Sequence, residues 1–519
     1  MTPSSTPWNE LRAVLAEPSS SNFRERVLRS MLRDAENNVH ALDAEMAALS
    51  RRREQEQARI TSLKDALAPL RKLSTELAVK IFSEVEHGPK AKWRGDNEFF
   101  RVLFALSAVC SHWRSMILSN PSLWAQDTLC IGGTKSVKLV KCVLRRSAPL
   151  PISIHFRDDV RDIGDQLLAA VAKSAPRWRS LSCMMELQHS ALMPLLLHSE
   201  PWGWPCLKNL NLFPGTSGSL FADAPALLQV SFRAGSISQV PLLPWGQLQD
   251  LKLDVTNFDL QNRNVWGTIV LCPSLVALDV RLNAWEHSQD VDFPDATLLH
   301  LSKLHLEVTI EDPTLDEHFT VAPFFVHFTF PVLQTLSIQM EEEYFPDPTN
   351  IIETALGTGF ISFLGRSSQL ESLELSFCLL DPDFLRDILA STPSLTKLSI
   401  EYPLNELDDT LFEHLTYSPS RSVVAPRLHT LRLVGMGTQF TAKALVELIH
   451  SRWWTDGAPM LVARWQHVSV FCREDDEGPA GLYDLEVDFK ETVLALRDQG
   501  LRLETNFPPP WSRWDYDDD

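Results

Sequence analysis

The chain has 519 residues, 44% of them hydrophobic and 22% charged, with a net charge of −19. That length leaves room for about three domains or for a repeat array, and the apolar content excludes a wholly disordered chain. The charge is uneven: residues 1–135 carry 19 Lys+Arg against 16 Asp+Glu, and residues 136–519 carry 29 against 51, so the long acidic part repels phosphate backbones and nucleic acid is not expected as a partner.

Residues 1–21 are rich in proline and serine and are read as a loose N-terminus. Residues 22–68 form the first predicted element, a coiled-coil helix: from Asn22 to Leu70 there is no glycine, Pro69 is the one proline, and good helix formers dominate. A heptad register puts Leu32, Val39, Met46, Arg53, Ile60 and Leu67 at a, and Ala35, Leu42, Leu49, Glu56, Leu63 and Leu70 at d. Ten of these twelve are apolar, and the two exceptions share one heptad. Such a stripe needs cover from a second copy, from a different protein or from the rest of this chain.

Residues 69–128 predict a small all-α module. Ser74 is placed to cap a helix starting at Thr75, and Leu73, Leu77, Ile81, Phe82 and Val85 share one helical face. A polar insert, Glu86 to Glu98, is expected to loop out. Leu103, Leu106, Val109 or Cys110, Trp113 and Ile117 form a second apolar face that ends at Asn120 and Pro121, with Leu123 and Trp124 directly after. The ordered set of Leu73, Glu76, Leu77, Ile81, Phe82, Val109, Cys110, Trp113, Arg114, Pro121, Leu123 and Trp124 resembles an F-box, with Ser74 where that family usually has proline. The resemblance covers about an eighth of the chain, and a coiled coil running into an F-box of this form resembles a type frequent among fungi. It implies docking to a Skp-type adaptor, and through it to a cullin ubiquitin ligase, with Leu73, Glu76, Leu77, Ile81, Phe82, Trp113, Leu123 and Trp124 as the adaptor-binding residues. The alternative is a helical cap on the domain that follows, with its tryptophans in its own core.

Residues 149–505 carry the pattern L-x-x-L-x-L ten times, starting at Leu207, Leu227, Leu248, Leu275, Leu301, Leu333, Leu370, Leu395, Leu428 and, in a degenerate copy, Trp465. Spacings of 20 to 37 residues read as stacked supersecondary units. The pattern resembles leucine-rich repeats, with one parallel strand per unit and the family asparagine mostly missing. The expected fold is therefore mixed: a long N-terminal α-helix, a small all-α F-box module and a C-terminal α/β leucine-rich-repeat-like solenoid with a parallel sheet. Pro149–Phe156 reads as its first strand, and helical patterns occur at Thr354–Leu364, Phe384–Leu389 and Leu445–Ile449. Strand alternation sends the leucines inward and the intervening residues outward. The outward row includes Asn209, Asn211, Gln229, Arg233, Asp250, Lys252, Asp254, Asp279, Arg281, Lys303, His305, Glu307, Gln339, Glu374, Glu401 and Arg432. Of these, Asn209, Arg233, Asp250, Lys252, Asp279, Arg281, Lys303 and His305 are the candidate contacts to an unknown target protein, with Arg233, Arg281 and Lys303 as a potential basic cluster. Glu474–Glu477 reads as an acidic loop, Phe507–Trp511 as a proline break, and residues 506–519 as an acidic tail.

No catalytic or cofactor motif accompanies this organisation. Gly132–Ser136 lacks the full phosphate-loop pattern, and no H-E-x-x-H or G-x-S-x-G is present. The eight cysteines, Cys110, Cys130, Cys142, Cys183, Cys206, Cys272, Cys378 and Cys472, form no C-x-x-C pair. No metal, cofactor or enzymatic activity is expected. Met1–Glu10 has no apolar signal core, no stretch approaches the ~18–20 apolar residues of a membrane span, and no glycosylation acceptor occurs, since Asn120 is followed by Pro121. The expected setting is the cytoplasm or nucleus without membrane attachment. The leading reading is a substrate-receptor subunit of a Skp–cullin–F-box ligase. The alternative is a scaffold dimerising through its coiled coil.

Overall fold

The computed structural model describes residues 12, 15–16, 21–67, 73–84, 97–132, 137–157, 165–183, 203–212, 219–233, 242–254, 261–283, 285–286, 294–309, 319–340, 356–378, 382–401, 409–418, 423–436, 440–453, 462–473 and 492–505. Outside them lie most of the Pro/Ser-rich start, residues 86–96 of the polar insert, residues 133–136, Thr354 and Ala355, the loop Glu474–Glu477 and the tail 506–519. The chain divides into two compact units, Met1–Val85 and Glu86–Asp519.

The first unit contains helix α1 (Ser21–Leu67) and helix α2 (Thr75–Glu84). At 1.5 Å per residue the 47 residues of α1 span roughly 70 Å. Its seven described large apolar seam residues, from Leu32 to Leu63, are 44–64% exposed. At the start of α2 the Ser74 hydroxyl accepts the Leu77 amide at 3.3 Å, the cap expected from sequence.

The second unit opens with α3 (Glu98–Val109), α4 (Ser111–Ser119) and α5 (Pro121–Ala125). The single helical face read from Leu103 to Ile117 is broken at Cys110, whose backbone is extended and whose Sγ caps α4 by accepting the Trp113 amide at 3.5 Å. The break resolves the choice within that face: Val109 is exposed, while Leu103 and Ile117 are fully buried. Asn120 stops α4 and its side chain caps α5, with Pro121 in the first turn, where a missing N–H costs nothing.

Among the described residues, fourteen strands form one sheet in which spatial order equals chain order. They are β1 (Thr128–Ile131), β2 (Ile152–Phe156), β3 (Trp178–Cys183), β4 (Asn209–Leu212), β5 (Gln229–Arg233), β6 (Asp250–Asp254), β7 (Ala277–Asn283), β8 (Lys303–Thr309), β9 (Thr335–Met340), β10 (Ser372–Ser376), β11 (Lys397–Glu401), β12 (Thr430–Met436), β13 (His467–Arg473) and β14 (Arg502–Thr505). Every neighbouring pair is parallel. All ten segments read as repeats lie on strands of this sheet, β4 to β13. The register stacks their leucines: Leu210, Val230, Leu251, Leu278, Leu304, Leu336, Leu373, Leu398, Leu431 and Val468 are mutual neighbours along one row. At the first, fourth and sixth positions of all ten copies no side chain is more than 2% exposed. This is an α/β solenoid of leucine-rich-repeat type.

The sheet begins one strand earlier than the sequence suggests, at β1. Helices fill the longer connections, among them α6 (Val137–Arg146), α7 (Asp165–Ala172), α8 (Gln261–Val270), α9 (Ala322–His327), α10 (Gly357–Arg366), α11 (Pro382–Ser391), α12 (Asp409–Leu415) and α13 (Ala442–Ser451). The helical patterns at Phe360–Leu364, Phe384–Leu389 and Leu445–Ile449 fall in α10, α11 and α13. Aromatic rings tie the middle repeats together: Trp266 stacks on Phe328 at 3.9 Å, and Phe325 meets Phe360 at 4.8 Å. The approach of α9 to α10 requires Gly359, where a Cβ would stand 2.9 Å from Val326.

Backbone carbonyls between repeats are met by long side chains. Arg146 donates to Leu118 O at 3.1 Å, Arg177 to Leu150 O at 2.9 Å, and Arg366 to Phe325 O at 2.6 Å. Gln247 donates to Ala224 O and Leu227 O at 2.8 and 2.9 Å. Arg452 is buried and donates to Val424 O and Ala425 O, both at 2.9 Å. Burial pulls its pKa down to about 10, so it remains a cation at neutral pH.

The edge at β1 is closed by one side chain. Asn97, at the foot of the polar insert, is buried in the left-handed conformation (φ 56°), where asparagine is tolerated better than most residues. Its amide donates to Cys130 O at 2.8 Å and accepts from Cys130 N at 2.9 Å, as a neighbouring strand would. Asn97→Ala therefore removes both of these hydrogen bonds and is expected to lower unfolding stability by about 2–3 kcal/mol. Asn97→Gly, free of backbone strain but without the amide, is expected to recover only part of that loss. Denaturant unfolding of the three proteins measures both steps.

Candidate functional site

Two surfaces are built from the sequence-predicted residues. The first is α2. Its apolar residues divide between two faces: Ala78 and Phe82 are buried, whereas Leu77 and Ile81 are 53% and 47% exposed. Leu77 and Ile81 are four residues apart and so lie one above the other. Leu73 is half-buried and Glu76 is exposed. The Glu76 carboxylate accepts hydrogen bonds from its own backbone N–H and from the Ser74 hydroxyl, which hold its pKa below the usual carboxylate value. The first turn is thus fixed by its own side chains, and the Leu77–Ile81 ridge stands on a preorganised helix.

Two other residues of the F-box resemblance, Leu123 and Trp124, play internal parts. Leu123 and Trp124 are buried, and the Trp124 indole donates to Ile117 O at 2.8 Å and meets Phe104 edge-on at 5.4 Å. They hold α3, α4 and α5 together. Trp113 is half-buried.

The second surface is the outward face of β5 to β8. The register places Ser231, Lys252, Asp279 and His305 side by side, and Arg233, Asp254, Arg281 and Glu307 in the next row. The side chain of Arg233 lies outside the described residues. Charges alternate from strand to strand and pair across it. Lys252 meets Asp279 at 2.5 Å, and Arg281 sits between Asp254, at 3.5 Å, and Glu307, with which it forms a short ion pair. Such half-exposed pairs are each worth only about 0.2–1 kcal/mol. They do fix the geometry of the face.

This arrangement argues against a phosphate cluster at Arg233, Arg281 and Lys303, because the Arg281 charge is already flanked by two acids. Lys303 and Asn209 are exposed, His305 is half-buried, and Asp250 lies at the edge of the ladder with Gln229 donating to it at 3.4 Å. A second pair, Arg432 with Glu401 at 2.6 Å, stands farther along the sheet, with the Arg432 guanidinium over the Phe471 ring. The signal for these pairs is present in sequence: Asp254, Arg281 and Glu307 each follow the last apolar residue of their repeat, so aligning the repeats stacks them. Asn97 left no comparable signal.

Cys272 and Cys378 are buried, and burial pushes both thiols up to about 12, where they stay protonated. Among the described residues no group of three His, Cys, Asp or Glu is placed to hold a metal ion. No helix among them is long and apolar enough to cross a membrane.

No family model matches this chain, and no curated protein matches it. Among solved structures, it is similar to a chain of the TLR13–ssRNA13 complex at 14% identity, with a TM-score of 0.34 and 59% of this chain covered. It spans 40% of the length of that TLR13 chain. It is also similar to a chain of the Rad7 and Elc1 complex in yeast at 13% identity, with a TM-score of 0.27, over 82% of this chain and 96% of that one.

Asp250 yields a pH prediction. Desolvation and the neighbouring Asp279 raise its pKa, against the opposing pull of Lys252 and Lys303. A carboxyl whose folded pKa is raised favours the fold in its protonated form. Its contribution is fully present below the unfolded pKa of about 3.9 and is lost as pH rises through the folded value. Asp250→Asn is therefore expected to raise the unfolding midpoint at pH 7, by on the order of 1 °C, and to change nothing near pH 3. Thermal melts at the two pH values measure the difference.

Proposed function

We propose that this chain is a non-catalytic substrate receptor: α2 docks on the Skp-type adaptor of a Skp–cullin–F-box ubiquitin ligase, and the outward face of the sheet holds a target protein. The observation that carries the reading is the exposure of Leu77 and Ile81 on a capped helix whose adjacent face, Ala78 and Phe82, is buried. Burying each of them against a partner is worth up to about 1.5–3 kcal/mol. Leu123 and Trp124 then act within their own unit, by holding α3, α4 and α5 together.

A receptor of this kind does no bond chemistry. It raises the effective concentration of a target lysine near the ubiquitin-charged enzyme. The target surface is the paired ladder of β6 to β8, with Asn209, Asp250, Lys303 and His305 as the polar groups around it. Its fixed alternation of charge favours a protein partner with complementary alternation over a polyanion. The proposal places the chain in the cytoplasm or nucleus, where thiols stay reduced.

The exposed seam of α1 favours a second reading, a scaffold that assembles through that helix without recruiting a ligase. The two readings separate on adaptor binding. Full-length protein co-expressed with a Skp-type adaptor is expected to co-purify and to bind it in calorimetry. Leu77→Asp/Ile81→Asp, with unchanged circular dichroism, is expected to weaken that binding at least about 100-fold. Absence of binding by the folded wild-type chain contradicts the ligase reading and leaves the scaffold.

A further inference from the structure

Helix α1 carries an apolar seam, and the two charges within it specify what covers the seam. Leu42, Met46, Leu49, Ile60 and Leu63 are all at least 44% exposed. In their midst stand Arg53 at an a position and Glu56 at a d position, both exposed. Glu56 has only a long contact to Arg59 at 3.9 Å, and among the described residues Arg53 has no ion-pair partner.

A charged residue inside a coiled-coil seam costs stability unless it faces its opposite, and it thereby selects register and orientation. In a parallel, in-register pair of copies, Arg53 faces Arg53 and Glu56 faces Glu56. Sliding a parallel pair by a heptad sets both charges against apolar residues. In an antiparallel pair, a positions face d positions, and one register alone satisfies all four charges. With the twofold axis between residues 54 and 55, Arg53 faces Glu56 of the second copy and Glu56 faces its Arg53. The same register sets Leu49 opposite Ile60 and Met46 opposite Leu63, apolar on apolar on both sides of the axis. On the e flank it brings Asp43 beside Lys64 of the second copy, a further attractive pair. The other flank brings Arg52 and Arg59 near one another, where solvent exposure and salt limit the repulsion.

We propose that α1 is a homodimerisation helix that pairs antiparallel with a second copy of this chain, in the register that joins Arg53 to Glu56 across the axis. The pairing sends the two chains away from the helix at opposite ends of the dimer, so a single assembly carries two α2 ridges and two sheet faces. It does not rest on the adaptor reading, and a scaffold would use it equally.

Sedimentation equilibrium of the full-length chain tests it, together with zero-length carbodiimide cross-linking read by mass spectrometry. Within one helix Asp43 and Lys64 are roughly 31 Å apart, as they are between the chains of a parallel pair, so a direct Asp43–Lys64 cross-link reports the antiparallel register. The expected result is a dimer that yields this cross-link. Arg53→Glu alone and Glu56→Arg alone are each expected to weaken the dimer at least about tenfold by setting like charges opposite, and the double exchange Arg53→Glu/Glu56→Arg to restore it. Unchanged helicity by circular dichroism shows that α1 stays folded in each. A monomer at all concentrations overturns the proposal and gives the seam to a different protein. A dimer indifferent to both single exchanges and lacking the cross-link overturns it in favour of a parallel pair.

Discussion

Everything in the second unit depends on the burial of three apolar side chains per strand against the strands on either side. A parallel sheet that grows in chain order never closes, so each L-x-x-L-x-L segment lacks a core until its neighbours are in place. At 25–30 cal/mol per Å² of apolar area removed from water, those stacked rows supply the main driving force. The variable connections, some with helices and some with short turns, follow from this. They need only return the chain to the next strand in register, and the carbonyls they leave unpaired are met by Arg146, Arg177, Arg366, Arg452 and Gln247. An open sheet also has edges. At β1 the Asn97 amide bonds both Cys130 N and Cys130 O, which ties the α3–α5 helices to the array as its cap.

The sequence announces the strands whose three apolar positions hold leucine or a residue close to it. In β3 those positions hold Trp178, Leu181 and Cys183, all buried, and the segment does not read as a repeat. In β1 only Leu129 and Ile131 remain, with Gln126 where the first leucine would stand, so the pattern does not register. The sequence therefore places the sheet edge at β2, one strand inside its true position. The helix break at Cys110 escaped for a related reason: an apolar face read at helical spacing continues smoothly through Val109 and Trp113, and nothing in that periodicity reports that Cys110 is extended. On the outward face the residues were legible by alternation, but their meaning was not. Arg281 reads as a free cation in one strand and becomes the centre of an Asp254–Arg281–Glu307 row only when three repeats are aligned. Trp124 reads as a contact residue in sequence, and in the fold its indole donates to Ile117 O.

The two units divide the work by what they leave uncovered. The sheet face is polar, paired within itself and stable without a partner. The N-terminal unit shows the opposite condition, with large apolar residues in water along α1 and at Leu77 and Ile81 on α2. Contiguous apolar exposure of this kind marks interaction surfaces. The two helices differ in character. The α1 seam is long and interrupted by a charge pair, which suits register-specific helix pairing. The α2 ridge is short and capped, which suits insertion between helices of another protein. The exposed ridge belongs to one unit and the ion-paired ladder to the other.

In the proposed complex the adaptor docks on α2 and leaves the sheet face open. Hydrogen–deuterium exchange of the full chain, with and without saturating Skp-type adaptor, tests it most directly. The account predicts new protection of amides in residues 73–84 and unchanged exchange in β6, β7 and β8. Protection that appears on those strands while residues 73–84 stay unchanged would contradict it.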